Sequence, residues 1–257
     1  MASQAPQNAT LPLLFKDMMP LSSVDHATWR IIPMTDATFI ASEHAIPVTV
    51  DEFALAQRHY PIIFSSGDNP VPLALMGLNE GVNTFVGDEG KITENVYLPA
   101  YIRRYPFLLA KLRPDTDELS LCFDPTSGLV GAFEEGEVLF TDGQPTESVT
   151  RILDFCREFE ESGMKTGQFM AELNEHKLLM EGEVSIQPEG DAPPFVYRGF
   201  QMIDETKLRD LRGDVLRKMM QSGLLPLIHA HLFSLSHMRD IFGRQMAQGK
   251  VPVQPVT

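Results

Sequence analysis

His229 and His231 stand two residues apart in the apolar run LPLIHAHLFSL, residues 225–235. Imidazole is a common metal ligand, and on a strand a His-x-His pair points both rings one way, as metal-dependent hydrolases require. On a helix the same two residues lie about 200° apart, and their rings cannot share one ion. The run from Leu224 to Phe242 has the length and periodicity of a helix. In addition, 26 residues follow His231 in the 257-residue chain, too few for the barrel such a motif opens. His229 and His237 share a helical face, with no Asp, Glu or Cys read at ligand spacing. The pair is therefore expected to be core or interface histidines, and no metal site is assigned.

Other residues could bind rather than react. Asp68 and Asn69 in SSGDNP (65–70) offer ligand oxygens on a permissive backbone, although a hairpin turn needs the same residues. Arg103, Arg104 and Tyr105 could hold an anion beside a helix end, although the helix dipole alone favours cations there. Trp29, the single tryptophan, sits in DHATWR (25–30) and could stack on a ring, with anchoring of the N-terminal segment as the favoured role. FEEGE and TDGQ (133–144) are acidic and glycine-rich but lack the alternating oxygen ligands of a calcium loop, so a solvated hairpin is expected. Cys122 and Cys156 lie in apolar settings and read as buried small hydrophobes. H-x-D, H-x-E, H-E-x-x-H, the Walker loop, G-x-G-x-x-G and G-x-S-x-G are all absent. No catalytic residue and no cofactor is assigned.

Bulk composition narrows the partners. With 43% hydrophobic and 22% charged residues, the chain is expected to pack as a globule. A formal net charge of -14 repels phosphate backbones and anionic membranes, so neither nucleic acid nor membrane insertion is expected. The N-terminus lacks the basic start and apolar core of a signal peptide, and no run is long enough to span a bilayer. The expectation is a cytoplasmic protein.

The elements that must position these residues show an internal echo. DEFALAQRHYPIIF (51–64) resembles VYLPAYIRRYPFLL (96–109), with Arg58, Tyr60 and Pro61 matching Arg103, Tyr105 and Pro106. Each reads as a short helix stopped before proline, then a strand, a turn and a second strand. The units span 51–80 and 96–125, and duplication and convergent packing both remain open. They predict an α+β fold, an antiparallel sheet with helices on one face, over residues 11–145. A mainly helical region follows over 146–242, packed as the same domain, with one hairpin turning at Pro188 to Pro194. Its expected helices are ESVTRILDFCREFEES, a second one capped by Thr166, a third capped by Asp204 and interrupted at Gly213, and the last from Leu224. Residues 1–10 and 245–257 are expected to be flexible tails.

LPLLFKDMMPLSSVDHATWRI, HYPIIFSSGDNPVPLALMGL, YLPAYIRRYPFLLA, LFTDGQPT and LLPLIHAHLFSL occur in this order. Together they resemble the SapC family of bacterial proteins, over residues 11 to 240. The resemblance implies a non-catalytic accessory or binding protein linked to surface-layer or outer-membrane uptake systems, with no catalytic residues to carry over. A protein partner is expected, with a small-molecule ligand as a second option. Met219, Met220, Met238 and Met246 could give the C-terminal helices a pliable surface for such a partner, or could be plain core. Two alternatives stand beside this reading. One is an enzyme whose acid/base site forms on folding from Asp68, Arg103, Arg104, Tyr105 and Asp124. The other is an exported surface-layer structural protein.

Overall fold

The computed structural model describes residues 11–87, 89–113, 115–187 and 193–250. Its α-helices among the described residues are α1 (Phe53–Ala56), α2 (Ala100–Arg103), α3 (Glu147–Glu175), α4 (Glu205–Arg209), α5 (Gly213–Ser222), α6 (Leu224–Ser234) and α7 (Met238–Ala247). All named strand pairs are antiparallel, and the chain is an α+β protein with a helical C-terminal region. It divides into two compact units, residues 1–36 with 102–161 and residues 37–101 with 162–257. Each unit is drawn from two separate stretches of chain.

The first unit holds a three-stranded sheet in the order Met19–Pro20, Leu119–Phe123, Phe107–Lys111. Phe107 pairs with Phe123 and Lys111 with Leu119. Phe107, Phe123, Val130, Leu139, Val149 and Cys156 form its buried core, with Trp29 and Ile152 packed against them. Val149, Ile152 and Cys156 recur at helical spacing on α3, which is why that helix turns this face to the sheet. The TDGQ segment is the tight hairpin expected of it: Phe140 pairs with Pro145, while Asp142 and Gly143 take positive φ of 51° and 74°.

The second unit is built on a five-stranded sheet ordered Leu179–Glu181, Phe200–Ile203, Ile62–Ser65, Pro72–Leu75, Ala45–Pro47. Ile62, Ile63 and Phe64 are all buried, as suits an unalternated apolar run at the centre of a sheet. SSGDNP is the turn between the strands Ile62–Ser65 and Pro72–Leu75, with Gly67 at φ +104°. A separate hairpin pairs Val184–Ile186 with Phe195–Tyr197; residues 188–192 of its expected turn lie outside the described residues. Asp204 caps α4 by accepting the N–H groups of Thr206 and Lys207, Gly213 begins a new helix, and Gly223 ends it at φ +83°.

Two sequence expectations are corrected. Residues 147–175 form one helix, not two. Thr166 does not cap; its hydroxyl donates to the Ser162 carbonyl (2.7 Å) and accepts the Val50 N–H (3.0 Å). Gly163 and Gly167 each cost the helix about 1 kcal/mol relative to alanine, and burial of Phe169, Met170 and Leu173 offsets that. The tail also begins later than residue 245. α7 runs to Ala247, and Gln245 is buried, accepting the Leu78 N–H and donating to Asn79 Oδ1. The ends 1–10 and 251–257 lie outside the described residues.

Candidate functional site

The first unit brings three of the sequence-predicted binding residues to one place. α2 ends at Arg103, so Arg104 and Tyr105 follow it directly, ahead of the strand Phe107–Lys111. The Tyr105–Pro106 bond is cis. The Tyr105 hydroxyl donates to the Asp124 carboxylate, and burial first, then that negative charge, pushes its pKa up to about 12. Asp124 is 0% exposed. Its Oδ2 accepts the Lys16 N–H (2.8 Å), and its Oδ1 accepts the Thr126 N–H (2.8 Å) and hydroxyl (2.7 Å). This carboxylate gathers four donors from three stretches of chain and is a structural acceptor.

Arg104, 7% exposed, lies with its guanidinium 4.3 Å from the centre of the Phe159 ring and 5.6 Å from that of Phe15. Glu160 approaches it at 3.7 Å. Burial raises the Glu160 pKa, and the Arg104 charge partly opposes the shift. Arg103 is exposed, its guanidinium 5.0 Å from the Phe155 ring centre. Cys156 is a free, buried thiol held at about 11 chiefly by burial, which leaves it protonated and unreactive at neutral pH. Trp29 packs against His26 (4.5 Å) and Phe123 (6.0 Å), in the anchoring position the sequence favours.

The second unit places the remaining candidates. Asp68 and Asn69 stand exposed in their turn. His231 is 0% exposed and touches backbone at both nitrogens. Nδ1 lies 2.7 Å from the Ile62 carbonyl, which can only accept, and Nε2 lies 3.1 Å from the Ile203 N–H, which can only donate. The ring is therefore the neutral Nδ1–H tautomer, and desolvation lowers its pKa to about 4. His229 sits on another side of α6, its Nδ1 2.9 Å from the Leu225 carbonyl, so the two rings diverge. Asp240, absent from the sequence reading of His237, does reach that ring at 2.9 Å. Among the described residues, no three His, Cys, Asp or Glu side chains are grouped to hold a metal ion.

A second buried carboxylate escaped the sequence reading. Glu52 accepts the Thr49 N–H and hydroxyl (both 2.9 Å), the Tyr97 hydroxyl (3.0 Å) and the Ala100 N–H (2.6 Å). The signal was present: Thr49 to Glu52 has the T-x-x-E spacing of a capping box. Likewise Asp124-Pro125-Thr126 has the cap-and-proline start of a short helix. The methionines divide, Met219 and Met238 being buried and Met220 and Met246 exposed.

A family model described as SapC matches residues 21–241. No curated protein and no solved structure matches the chain.

Proposed function

The chain belongs to the SapC family, and from that premise we propose that it is a non-catalytic cytoplasmic accessory protein that binds a protein partner. The observation that carries this reading is the exposure of large apolar side chains on the C-terminal helices, Met220 at 60%, Phe233 at 67% and Met246 at 44%. Exposed residues of this size are the raw material of protein interfaces. The inward groups support the same reading. His231, Asp124 and Glu52 are engaged with the protein's own backbone and hydroxyls, which is how structural polar groups are held. No helix among the described residues is long and apolar enough to cross a membrane. The link to surface-layer or outer-membrane uptake systems rests on the family resemblance.

The alternative, an acid/base site formed on folding, is favoured by one feature, the raised carboxyl of Glu160 beside Arg104. Gentle purification from the native cytoplasm, with mass spectrometry of polypeptides and metals, separates the two. A stoichiometric protein partner is expected. A stoichiometric metal or small molecule in its place would overturn the binding reading, and recovery of the protein outside intact cells would overturn the cytoplasmic one.

A further inference from the structure

His237 sits where the last two helices meet the end of α1. The 3-10 turn Leu235–His237 links α6 to α7, and His237 is half-buried in it. Its Nδ1 lies 2.9 Å from Asp240 Oδ2, in the first turn of α7. Its Nε2 lies 3.1 Å from the Gln57 carbonyl, at the C-terminal end of α1 and 180 residues away in the chain. An ionised carboxylate and a peptide carbonyl both accept, and neither donates. A neutral imidazole carries one N–H, so it satisfies one of these acceptors and turns a lone pair on the other. The imidazolium carries two and satisfies both. His231 is the opposite case, facing one acceptor and one donor, which the neutral ring fits.

The surrounding charges separate this ring from its neighbour. His59 has its pKa lowered by burial first, then by the charges of His237 and Arg58. His237 has the Asp240 carboxylate against it instead. The other charged side chains of α7 are Arg239, which is exposed, and Arg244, whose guanidinium lies 4.7 Å from the Phe85 ring centre. The histidines of α6, which packs against this turn, are bonded elsewhere, His229 to Leu225 and His231 to Ile62 and Ile203. Ahead of α1, Asp51 is paired with Lys165, and Glu52 accepts from Thr49, Tyr97 and Ala100.

We infer that His237 and Asp240 form a proton-operated clasp, in which the imidazolium ties the start of α7 to the C-terminal end of α1 and loss of its proton releases one of the two ties. A hydrogen bond to an ionised carboxylate is the stronger of the two, so the neutral ring keeps Asp240 and lets the Gln57 carbonyl go. Histidine is the side chain whose charge ordinarily changes between about pH 5 and 8, a range in which Asp, Glu and Lys ordinarily keep theirs. The clasp tightens as pH falls and loosens as pH rises. That is the reverse of the His231 contact, where a proton on Nε2 would break the bond from Ile203.

The test is a pH titration of the full, 15N-labelled chain by NMR between about pH 5 and 8, with long-range 1H–15N correlation to read the protonation of each imidazole. Both ring nitrogens of His237 are expected to carry a proton at the acid end, and Nε2 to lose its proton at the other. The amide of Arg58, which belongs to the same peptide as the Gln57 carbonyl, should shift with the same midpoint. His237→Gln donates one bond and does not titrate, so the response at Arg58 should be lost, whereas His59→Gln should keep it. Circular dichroism checks that both variants fold, and the ring-nitrogen signals of the unaltered chain carry the test if one does not. An Arg58 amide that stays still while the His237 ring titrates overturns the clasp. So does a His237 ring with one bare nitrogen throughout the range. A response that survives His237→Gln overturns it as well, and its loss in His59→Gln would give the proton to the other ring.

Discussion

Two Tyr-Pro segments, one in each unit, each lead into a pair of antiparallel strands, and they differ in the peptide bond, cis at Tyr105–Pro106 alone of the two, and in what anchors the pair. In the second unit Tyr60-Pro61 leads into the strand Ile62–Ser65, and Pro61 accepts the Leu75 N–H at 2.9 Å. In the first unit Tyr105-Pro106 leads into Phe107–Lys111, and Pro106 accepts the Asp124 N–H at 2.9 Å. The matching register makes Leu75 and Asp124 counterparts, since Ile62 faces Ala74 and Phe107 faces Phe123. One counterpart is a buried hydrophobe and the other a buried carboxylate. The tyrosines differ accordingly. Tyr60 donates to a backbone carbonyl, that of Tyr97 (2.8 Å), whereas Tyr105 donates to Asp124. Context explains the difference: Ile62–Ser65 lies inside its sheet with a strand on each side, while Phe107–Lys111 is an edge strand. The edge hairpin is instead bound to the segment at Lys16 through one carboxylate. A Tyr-Pro segment thus precedes a strand pair in both units, and the residue opposite its proline, Leu75 or Asp124, differs in how it anchors the pair.

Exchanging the counterparts should break this comparison most severely. Asp124→Leu removes the acceptor of the Lys16 and Thr126 N–H groups and of the buried Tyr105 hydroxyl, and a loss of about 3–5 kcal/mol in urea unfolding is expected. A loss below about 1 kcal/mol would mean that the carboxylate does not hold the hairpin. Next comes acid, which acts on the Tyr60 segment through the Ile62 carbonyl and His231. The unfolded imidazole titrates near 6.5 and the folded one near 4, so the unfolded chain takes up the proton first as pH falls. The contribution of His231 is complete above 6.5, is lost progressively down to 4, and amounts to something on the order of 3 kcal/mol. His231→Gln should flatten unfolding free energy against pH within that window. An unchanged pH slope would show that the ring is not held neutral.

Smaller effects sharpen the contrast. Tyr105→Phe removes a donor to a carboxylate and should cost about 2 kcal/mol, against about 1 kcal/mol for Tyr60→Phe. The opposite order would refute the different roles given to the two hydroxyls. Least of all, Lys111→Ala removes the exposed pair with Asp117 beside the second hairpin and should leave the denaturation midpoint unmoved.

The strand pairs that follow the two Tyr-Pro segments and the cap residues were legible because their signals act within a few positions of themselves. Asp204 finds its N–H groups two and three residues on, and Gly223 needs no partner to adopt positive φ. The single α3 was not legible, because Thr166 has the side chain of a cap and only the distant Val50 N–H shows what its hydroxyl accepts. The ligand-binding candidates suffered in the same way. Arg104 and Tyr105 were found by type, but their partners Phe159 and Asp124 lie 55 and 19 positions along the chain. His231 could be excluded as half of a chelating pair from helical angle alone, while its two backbone partners, 169 and 28 residues away, required the fold.

The fixed tautomer of His231 turns one backbone amide into a reporter. Its Nε2 accepts from Ile203 only while bare, and a proton there would set two donors face to face. The Ile203 amide ends the strand Phe200–Ile203, so its deuterium exchange, followed against neighbouring amides as pH is lowered, reads the charge of a ring that solvent never touches. A local loss of protection at Ile203, ahead of global unfolding, would mark the moment at which the sheet and α6 part company.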